Sequence, residues 1–525
     1  MSESWSRDRI RGVLSSRTVR TIGALAALHL LLCAVLFDPK IHTGGDSATY
    51  VLLAESILRA GDGFALSMAP GAPEAHTHYP PGYPILLAPA VALFGRNFVV
   101  LKLLSVLFTT ASVVIFCLYA RGGRERAPWW CIGLAFAVNP GVIDYSRWIL
   151  SEAPFLLFTL VALWALREDG KADRMGPVFV VALLASVASF YVRSIGALLL
   201  AGTSIAYLVH RRWPRLIVHG LVGSALTIPW LLRNRYVADS ASPYFAQFRL
   251  ANVYTPEAGY LDLAGFAGRF LENLWLYASR EMPRALVGSD SPWAQLPIVS
   301  LAGIAVCVLA LLGLTLAFRK PGAAEFYAVF MGLAILLFQE SVNDVRYLVP
   351  LLPLVLVYVF DTVGLLTRQV RRRPFGFSAP AAAMIALAGV GLWSAAARAP
   401  ANTDMIRRYG AGDPYAGYHP AWRNFFEAAA WVEENTPGDA VVTVRKPRLF
   451  HALTGRRVRM YPLSTPDSVL AVVRSTDFVV LDPIHGTNVR YLLPGIQQAP
   501  EAFFPVHETG EPTTHVLGVR NEERP

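Results

Sequence analysis

Acidic, basic and aromatic side chains recur at the ends of apolar segments in this sequence. Asp46 follows the first apolar segment, Arg147 and Glu152 lie near the end of a later one, and Arg346 comes directly before Tyr347. A carboxylate can accept a proton from a reacting group, and a guanidinium can stabilise an anion. Such groups at the depth of a bilayer are costly and tend to mark functional cavities, although boundary residues also extend to water. Asp46 is therefore either a solvated loop residue or part of a membrane-embedded active site.

The composition indicates a membrane protein. Of the 525 residues, 54% are hydrophobic and 16% are charged, whereas charged residues make up about 25% of a typical soluble domain. Several windows of about 17–23 apolar residues carry no charge, which is the length needed to cross a bilayer as a helix. The strands of an outer-membrane barrel would instead alternate apolar and polar residues.

Eleven apolar segments are candidate spans, so the predicted fold class is an all-α polytopic membrane protein with a small C-terminal soluble α/β domain. The predicted spans are 21–37, 98–120, 128–145, 153–167, 176–191, 195–209, 216–232, 295–318, 324–340, 347–366 and 379–397. The apolar segment 83–94 is too short for a full crossing, and we expect it to lie at the outer face as a re-entrant or interfacial helix.

The basic residues predict the orientation. Many of them lie in loops that share a side with the N-terminus, as the positive-inside rule requires of cytoplasmic loops. We therefore expect a cytoplasmic basic segment 1–20, a transmembrane domain 21–397 with external loops 38–97 and 233–294, and an extracytoplasmic domain 398–525. Topology also accounts for the net charge of +10, and no nucleic-acid partner is expected.

The sequence becomes polar after about residue 400. A helix is expected at 421–434, followed by a Thr-Pro-Gly-Asp turn and by strands at 440–444, 477–481 and 515–519. These elements predict the small α/β domain. It carries no catalytic signature of its own.

Four short motifs occur in order along the first 360 residues. Asp46, Tyr50 and Ala54 fit a pattern D-x-x-x-Y with a following Ala; Pro80-Pro81 opens a short apolar helix; and Arg147 with Glu152 follows the third span. The fourth motif is Arg-Tyr-Leu-Val-Pro at 346–350, with Pro353.

On these motifs the chain resembles the GT-C superfamily of membrane glycosyltransferases, specifically the bacterial relatives of dolichyl-phosphate-mannose protein mannosyltransferases and of aminoarabinose transferases. There are departures from the pattern. His78-Tyr79 stands where the aminoarabinose branch often has Glu-Lys, and Glu152 stands where Asp is more usual. These departures leave the general reaction in place and put the donor sugar in doubt.

The resemblance implies transfer of a sugar from a polyprenyl-phosphate carrier to a hydroxyl of an extracytoplasmic lipid, glycan or protein, with inversion, at the bacterial inner membrane. Asp46 would be the general base and Glu152 a second catalytic residue. The substrate-binding residues expected are Arg346, Tyr347, Tyr50, His78, Tyr79, Arg147 and Arg193. No cofactor is certain; a divalent metal held by Asp46, Glu152 and His78 is one hypothesis.

Each residue also has a simpler interpretation. Asp46 could cap the helix that follows it, the arginines could anchor helix ends at the interface, and Glu152 could form a structural ion pair with Arg147. At the level of function, the alternatives are a transporter or flippase of lipid-linked sugar and a noncatalytic scaffold with the GT-C fold.

Overall fold

The computed structural model describes residues 16–59, 63–71, 73–124, 127–237, 247–342, 344–368 and 378–520. Most of the expected N-terminal basic segment, residues 1–15, lies outside the described residues. The chain divides into two compact units. The first unit consists of residues 1–38, 102–239 and 261–403, and the second consists of residues 39–101, 240–260 and 404–525.

The first unit is helical: a helix or a pair of helices occupies each predicted span, and the helices Leu263–Leu276 and Met282–Val287 lie in the expected external loop 233–294. The helices of this unit are Ser16–Val35, Phe98–Arg121 (whose first turn belongs to the second unit), Trp129–Ala137, Pro140–Ser146, Glu152–Asp169, Pro177–Val192, Ala197–Val209, Trp213–Val237, Leu263–Leu276, Met282–Val287, Pro297–Ala317, Ala323–Leu337, Leu352–Leu366 and Ala379–Gly410. Among the described residues, five helices are long and apolar enough to cross a membrane: Arg17–Val35, Phe98–Arg121, Trp213–Val237, Pro297–Ala317 and Ala379–Gly410. The count of eleven spans stays a prediction.

The third predicted span is broken in the structure. The helix Trp129–Ala137 ends before Asn139, and a second short helix, Pro140–Ser146, begins directly after it. Asn139 caps the new helix by accepting a 3.2 Å hydrogen bond from the backbone N–H of Val142, and proline at the first helical position suits a helix start. The break sets the direction of the segment that carries Asp144 and Arg147.

Close backbone contact between helices uses glycine. A Cβ atom added at Gly313, in the helix Pro297–Ala317, would lie 2.5 Å from the carbonyl oxygen of Tyr358 in the helix Leu352–Leu366. A side chain larger than hydrogen would therefore push the two helices apart. Small residues at helix contacts are typical of membrane bundles, where packing rather than water exclusion holds helices together.

The second unit combines helices with two sheets. Its helices are Asp46–Leu58, Gly82–Phe94, Pro420–Asn435, Pro447–Thr454, Pro466–Arg474 and Leu493–Gln497. Its strands are β1 (Ala65–Leu66), β2 (Glu74–Ala75), β3 (Val441–Thr443), β4 (Arg457–Arg459), β5 (Phe478–Leu481), β6 (Phe503–Glu508) and β7 (His515–Val519). The helix expected at 421–434 and the three strands expected after it are confirmed.

The larger sheet has the strand order β4-β3-β5-β7-β6. Strands β4, β3 and β5 run parallel, whereas β7 pairs antiparallel with both β5 and β6. The carboxyl ends of the three parallel strands therefore lie at one edge of the sheet. Ligands of open α/β sheets typically bind outside that edge.

The core of the second unit joins residues that are distant in sequence. Leu52 and Leu53, on the helix that begins at Asp46, belong to the same buried cluster as Val442 of β3 and Phe450. Backbone pairing adds to this, since the N–H of Val458 donates to the carbonyl of Met68 at 2.7 Å. The segment after the first predicted span thus folds together with the C-terminal α/β elements.

Candidate functional site

Asp46 is the first residue of the helix Asp46–Leu58. The preceding Gly45 is buried and has φ of +89°, a left-handed conformation that glycine adopts without steric cost. The N-cap residue of this helix is Gly45 rather than Asp46. Asp46 therefore does not have the capping role that was considered for it. A carboxylate in the first turn is favoured there by the helix dipole.

Tyr79 holds the carboxylate of Asp46. Its hydroxyl donates a 2.8 Å hydrogen bond to Oδ1 of Asp46, and its ring lies 4.8 Å from the ring of Tyr50 and 4.7 Å from that of His78. Tyr83 closes the group from the other side of Tyr50, at 4.9 Å between ring centroids. The structure therefore brings together four residues that the sequence motifs had linked: Asp46, Tyr50, His78 and Tyr79.

The loop before the helix Gly82–Phe94 fixes this aromatic group. The backbone N–H of Tyr79 donates to Nε2 of His76 at 3.0 Å, and His76 is buried. Pro80 and Pro81 follow, and Pro81 is the N-cap of the helix. Because proline restricts φ, the loop has few alternatives to the conformation that presents Tyr79 to Asp46.

Two basic residues near Asp46 were not singled out from the sequence. Nζ of Lys446 lies 3.4 Å from the carbonyl oxygen of Gly44. Burial lowers the pKa of Lys446 below its usual value, the neighbouring Arg445 lowers it further, and Asp46 and Asp482 act in the opposite direction. The available signal was their place directly after a predicted strand, but only the parallel pairing of β3 with β5 places them at the carboxyl edge of the sheet, where ligands of open α/β sheets typically bind.

A second group of predicted residues lies in the first unit. Arg193 forms an ion pair with Glu152, whose side chain is only 2% exposed. The guanidinium of Arg193 lies 5.9 Å from the ring centre of Tyr347, and that of Arg346 lies 4.9 Å from the same ring. Arg346 also donates to the Tyr347 hydroxyl at 2.9 Å. Two guanidinium groups thus lie against a single tyrosine ring, and one of them pairs with a buried carboxylate.

The expected pairing of Glu152 with Arg147 is wrong. Arg147 instead donates to Asp144 at 3.0 Å, and Asp144 also accepts from Arg398 at 2.5 Å and from the backbone of Ser289 at 3.2 Å. The break at Asn139 makes this arrangement, because Asp144 and Arg147 lie one turn apart at the end of the short helix. Arg147 is therefore part of an ion-pair network that ties the helix Pro140–Ser146 to the helix Ala379–Gly410.

The hypothesis of a metal site finds no support in the side-chain arrangement. Within the described residues, no group of three or more His, Cys, Asp and Glu side chains is placed to hold a metal ion. The hypothesis remains a prediction from the sequence.

Apart from Arg147, which belongs to the ion-pair network of Asp144, the predicted site residues therefore form one group in each unit. The second unit holds a carboxylate oriented by a phenol, with a lysine close by, which is suited to accepting a proton from a hydroxyl. The first unit holds arginines next to an aromatic ring, which are suited to binding an oxyanion such as phosphate.

Solved structures provide the comparison, since no protein-family model and no curated protein match the sequence. ArnT from Cupriavidus metallidurans bound to undecaprenyl phosphate is 14% identical, with a TM-score of 0.57 over 94% of this chain and 97% of ArnT. The apo form of ArnT gives a TM-score of 0.55 at 15% identity, over 96% and 98% of the two chains.

A second neighbour is the Archaeoglobus fulgidus oligosaccharyltransferase tethered to an acceptor peptide. It is 13% identical, with a TM-score of 0.58 over 99% of this chain and 75% of that one. These neighbours are GT-C superfamily membrane glycosyltransferases, so this chain has the GT-C fold and the expectation from the motifs is confirmed at the level of fold.

Proposed function

We propose that this chain, which has the GT-C fold, is a glycosyltransferase that moves a sugar from a polyprenyl-phosphate carrier to a hydroxyl of an acceptor. The observation that carries the proposal is the 2.8 Å hydrogen bond from Tyr79 to Asp46. It orients the carboxylate that we assign as the base, at the start of a helix.

The proposed reaction accounts for each bond that forms or breaks and for the proton of the acceptor hydroxyl. The acceptor oxygen attacks the anomeric carbon while Asp46 takes the hydroxyl proton, which makes the oxygen more nucleophilic. The bond between the anomeric carbon and the phosphate oxygen breaks, and the carrier phosphate leaves with the electron pair. Attack opposite the leaving group inverts the anomeric configuration.

The leaving phosphate gains negative charge, which fixed cations stabilise. Arg346 is our first candidate for this role because it is held against Tyr347 by a hydrogen bond and by ring contact. Arg193 already neutralises Glu152, and Arg147 already neutralises Asp144. We therefore assign Arg193 and Glu152 mainly to holding this region in shape.

Similar structures support a lipid-phosphate donor. One matched ArnT structure contains undecaprenyl phosphate, and an archaeal oligosaccharyltransferase AglB structure, with a TM-score of 0.54 at 14% identity, contains dolichol-phosphate and an inhibitory peptide. By analogy, we propose a polyprenyl-phosphate sugar as donor. We further propose that the chain lies in the bacterial inner membrane with its N-terminus cytoplasmic and residues 398–525 extracytoplasmic, since the basic loops favour that orientation.

The test is sugar transfer by the purified full chain in lipid nanodiscs. A panel of synthetic polyprenyl-phosphate sugars is combined with lipid, glycan and peptide acceptors, and wild type is compared with Asp46→Asn and Asp439→Asn. Removal of a general base lowers the rate by about 10²–10⁴-fold, so Asp46→Asn should lose transfer to that extent. Asp439 is exposed in the same unit, and its substitution removes the same charge, so this control should keep wild-type activity.

Two results would contradict the proposal. Full activity of Asp46→Asn would show that Asp46 is not the general base. If wild type consumes none of the donors with any acceptor, the chain is not a transferase of this class.

A further inference from the structure

A basic cavity lies at the carboxyl ends of the parallel strands of the larger sheet. It has a volume of about 520 Å³, within the range of about 300–1,000 Å³ that is usual for small-molecule sites. Its walls include Arg445 and Lys446, which follow β3, and His485 and Thr487, which follow β5. Arg490 and Tyr254 also line the cavity.

The charge of the wall has one sign. Three of the lining residues, Arg445, Lys446 and Arg490, carry fixed positive charges, and none of the lining residues that the structure describes is acidic. Arg490 forms an ion pair with Glu257, and this pair partly neutralises the positive charge of Arg490. Arg445 and Lys446 thus contribute most of the positive potential, and Lys446 is also the lysine that approaches Gly44.

The cationic side chains are held in place rather than extended into water. Nε of Arg445 donates to the Thr487 hydroxyl at 2.8 Å, which leaves its two terminal nitrogens for other partners; one of them lies 3.8 Å from the sulfur of Met460. A guanidinium fixed through Nε presents a planar fork that matches the oxygens of a phosphate.

The loop after β5 is ordered by a buried carboxylate. Asp482, 2% exposed, accepts from the backbone N–H of Ile484, from Nδ1 of His485 and from the amide of Asn488, each at 2.9 Å. Asp482 thereby positions His485 and Thr487 at the cavity. A loop fixed in this way is already organised for a ligand, which reduces the entropy lost on binding.

We propose that this cavity binds a phosphate group, with Arg445 and Lys446 as its principal ligands. The cavity is larger than a bare phosphate, so the ligand is a phosphate ester with an organic part. The ester is either the headgroup of a lipid carrier or a water-soluble or acceptor-borne sugar phosphate, and both present the same chemistry to the cavity. A role for this site in transfer rests on the proposed function, whereas phosphate binding itself does not.

The test is calorimetric titration of the full chain, in nanodiscs of zwitterionic lipid, with glucose 1-phosphate. Arg445→Gln and Lys446→Gln should each weaken binding at least tenfold, and the double variant should abolish it. Arg474→Gln removes one positive charge from the same unit at a residue that does not line the cavity, and it should bind as wild type does. Thermal unfolding of each variant checks that the fold is kept, and Arg445→Lys, which keeps the charge without the fork, should bind with intermediate affinity.

A second arm identifies the source of the phosphate. Nanodiscs are loaded with undecaprenyl phosphate before titration with glucose 1-phosphate. Loss of the titration signal in wild type, with no such loss for carrier-free discs, assigns the cavity to the carrier headgroup. An unchanged signal assigns it to a sugar phosphate outside the lipid.

The failures of the two proposals can be told apart. If folded Arg445→Gln and Lys446→Gln bind glucose 1-phosphate as tightly as wild type, or if wild type does not bind it, the cavity proposal is wrong even where sugar transfer proceeds. If the variants lose binding but wild type consumes no donor, the cavity proposal stands and the proposed function fails.

Discussion

Nζ of Lys446 lies 3.4 Å from the backbone carbonyl oxygen of Gly44, although 402 residues separate the two in sequence. Gly44 is two residues before Asp46, so the contact brings the basic cavity next to the start of the helix that carries the candidate base. Both belong to the second compact unit. Asp46 therefore lies in an environment that the C-terminal residues help to build.

Phosphate affinity should depend on the charge of Lys446. Burial lowers its pKa, Arg445 adds to this, and Asp46 and Asp482 oppose it. The cationic form binds the anion, so affinity for glucose 1-phosphate should fall as the pH rises, and it should do so at lower pH than it would for an exposed lysine. A phosphate monoester has lost its second proton above about pH 6, so titrations from pH 7 upwards report the protein.

Lys446→Arg is the matched variant for this experiment. Its guanidinium stays charged throughout the range, so it should retain affinity at high pH, and Lys446→Gln should bind weakly at every pH. An equally steep loss of affinity in Lys446→Arg would mean that another group controls the pH dependence.

Tyr79→Phe should impair catalysis without disturbing the fold. The substitution removes the hydroxyl that donates to Asp46 and keeps the ring that packs on Tyr50. We expect kcat to fall about tenfold, equivalent to about 1.4 kcal/mol, with a shifted pH profile of kcat and little change in KM for the donor. Tyr409→Phe removes an exposed hydroxyl from the same unit and should have no effect. A change confined to KM would instead indicate a substrate contact for Tyr79.

Gly45→Ala should destabilise the second unit. Gly45 has φ of +89°, and a side chain in that conformation costs about 1–2 kcal/mol. The free energy of unfolding should fall by that amount, and transfer should fall as well because the strain lies next to Asp46. Gly438→Ala is the control, since no positive φ and no neighbouring atom within 4 Å opposes a Cβ there. Equal stability of the two variants would show that the left-handed turn is not required.

The pair formed by Glu152 and Arg193 should behave as a structural unit. Glu152 is 2% exposed, and loss of its partner leaves a buried charge, which costs about 3–5 kcal/mol. Glu152→Gln and Arg193→Gln should therefore each lower the free energy of unfolding, whereas the double variant should lose less than the sum of the two. Additive losses would mean that the two residues act independently.

Hydropathy was sufficient to locate the helices of the predicted spans, but not the helices Asp46–Leu58 and Leu263–Leu276. Each predicted span from 21–37 to 379–397 corresponds to a helix or, for 128–145, to two short helices. The break could not be read from apolar length, because a single Asn-Pro step at 139–140 ends one helix and starts the next while both stay apolar. Pairing of Glu152 was mispredicted for a related reason: proximity along one helix favoured Arg147, but Arg193 lies nearer in space.

The sequence by itself determined the class of the protein, the positions of the helices in the predicted spans and of the C-terminal strands, and the motif that places Tyr79 near Asp46. These follow from local composition and spacing, which short-range physics controls. Only the tertiary structure decided that Arg445 and Lys446 belong beside the segment of Asp46, and that β3 and β5 run parallel with a basic cavity at their carboxyl ends. Such contacts join residues about 400 positions apart and arise from burial of one shared core, which no local pattern specifies.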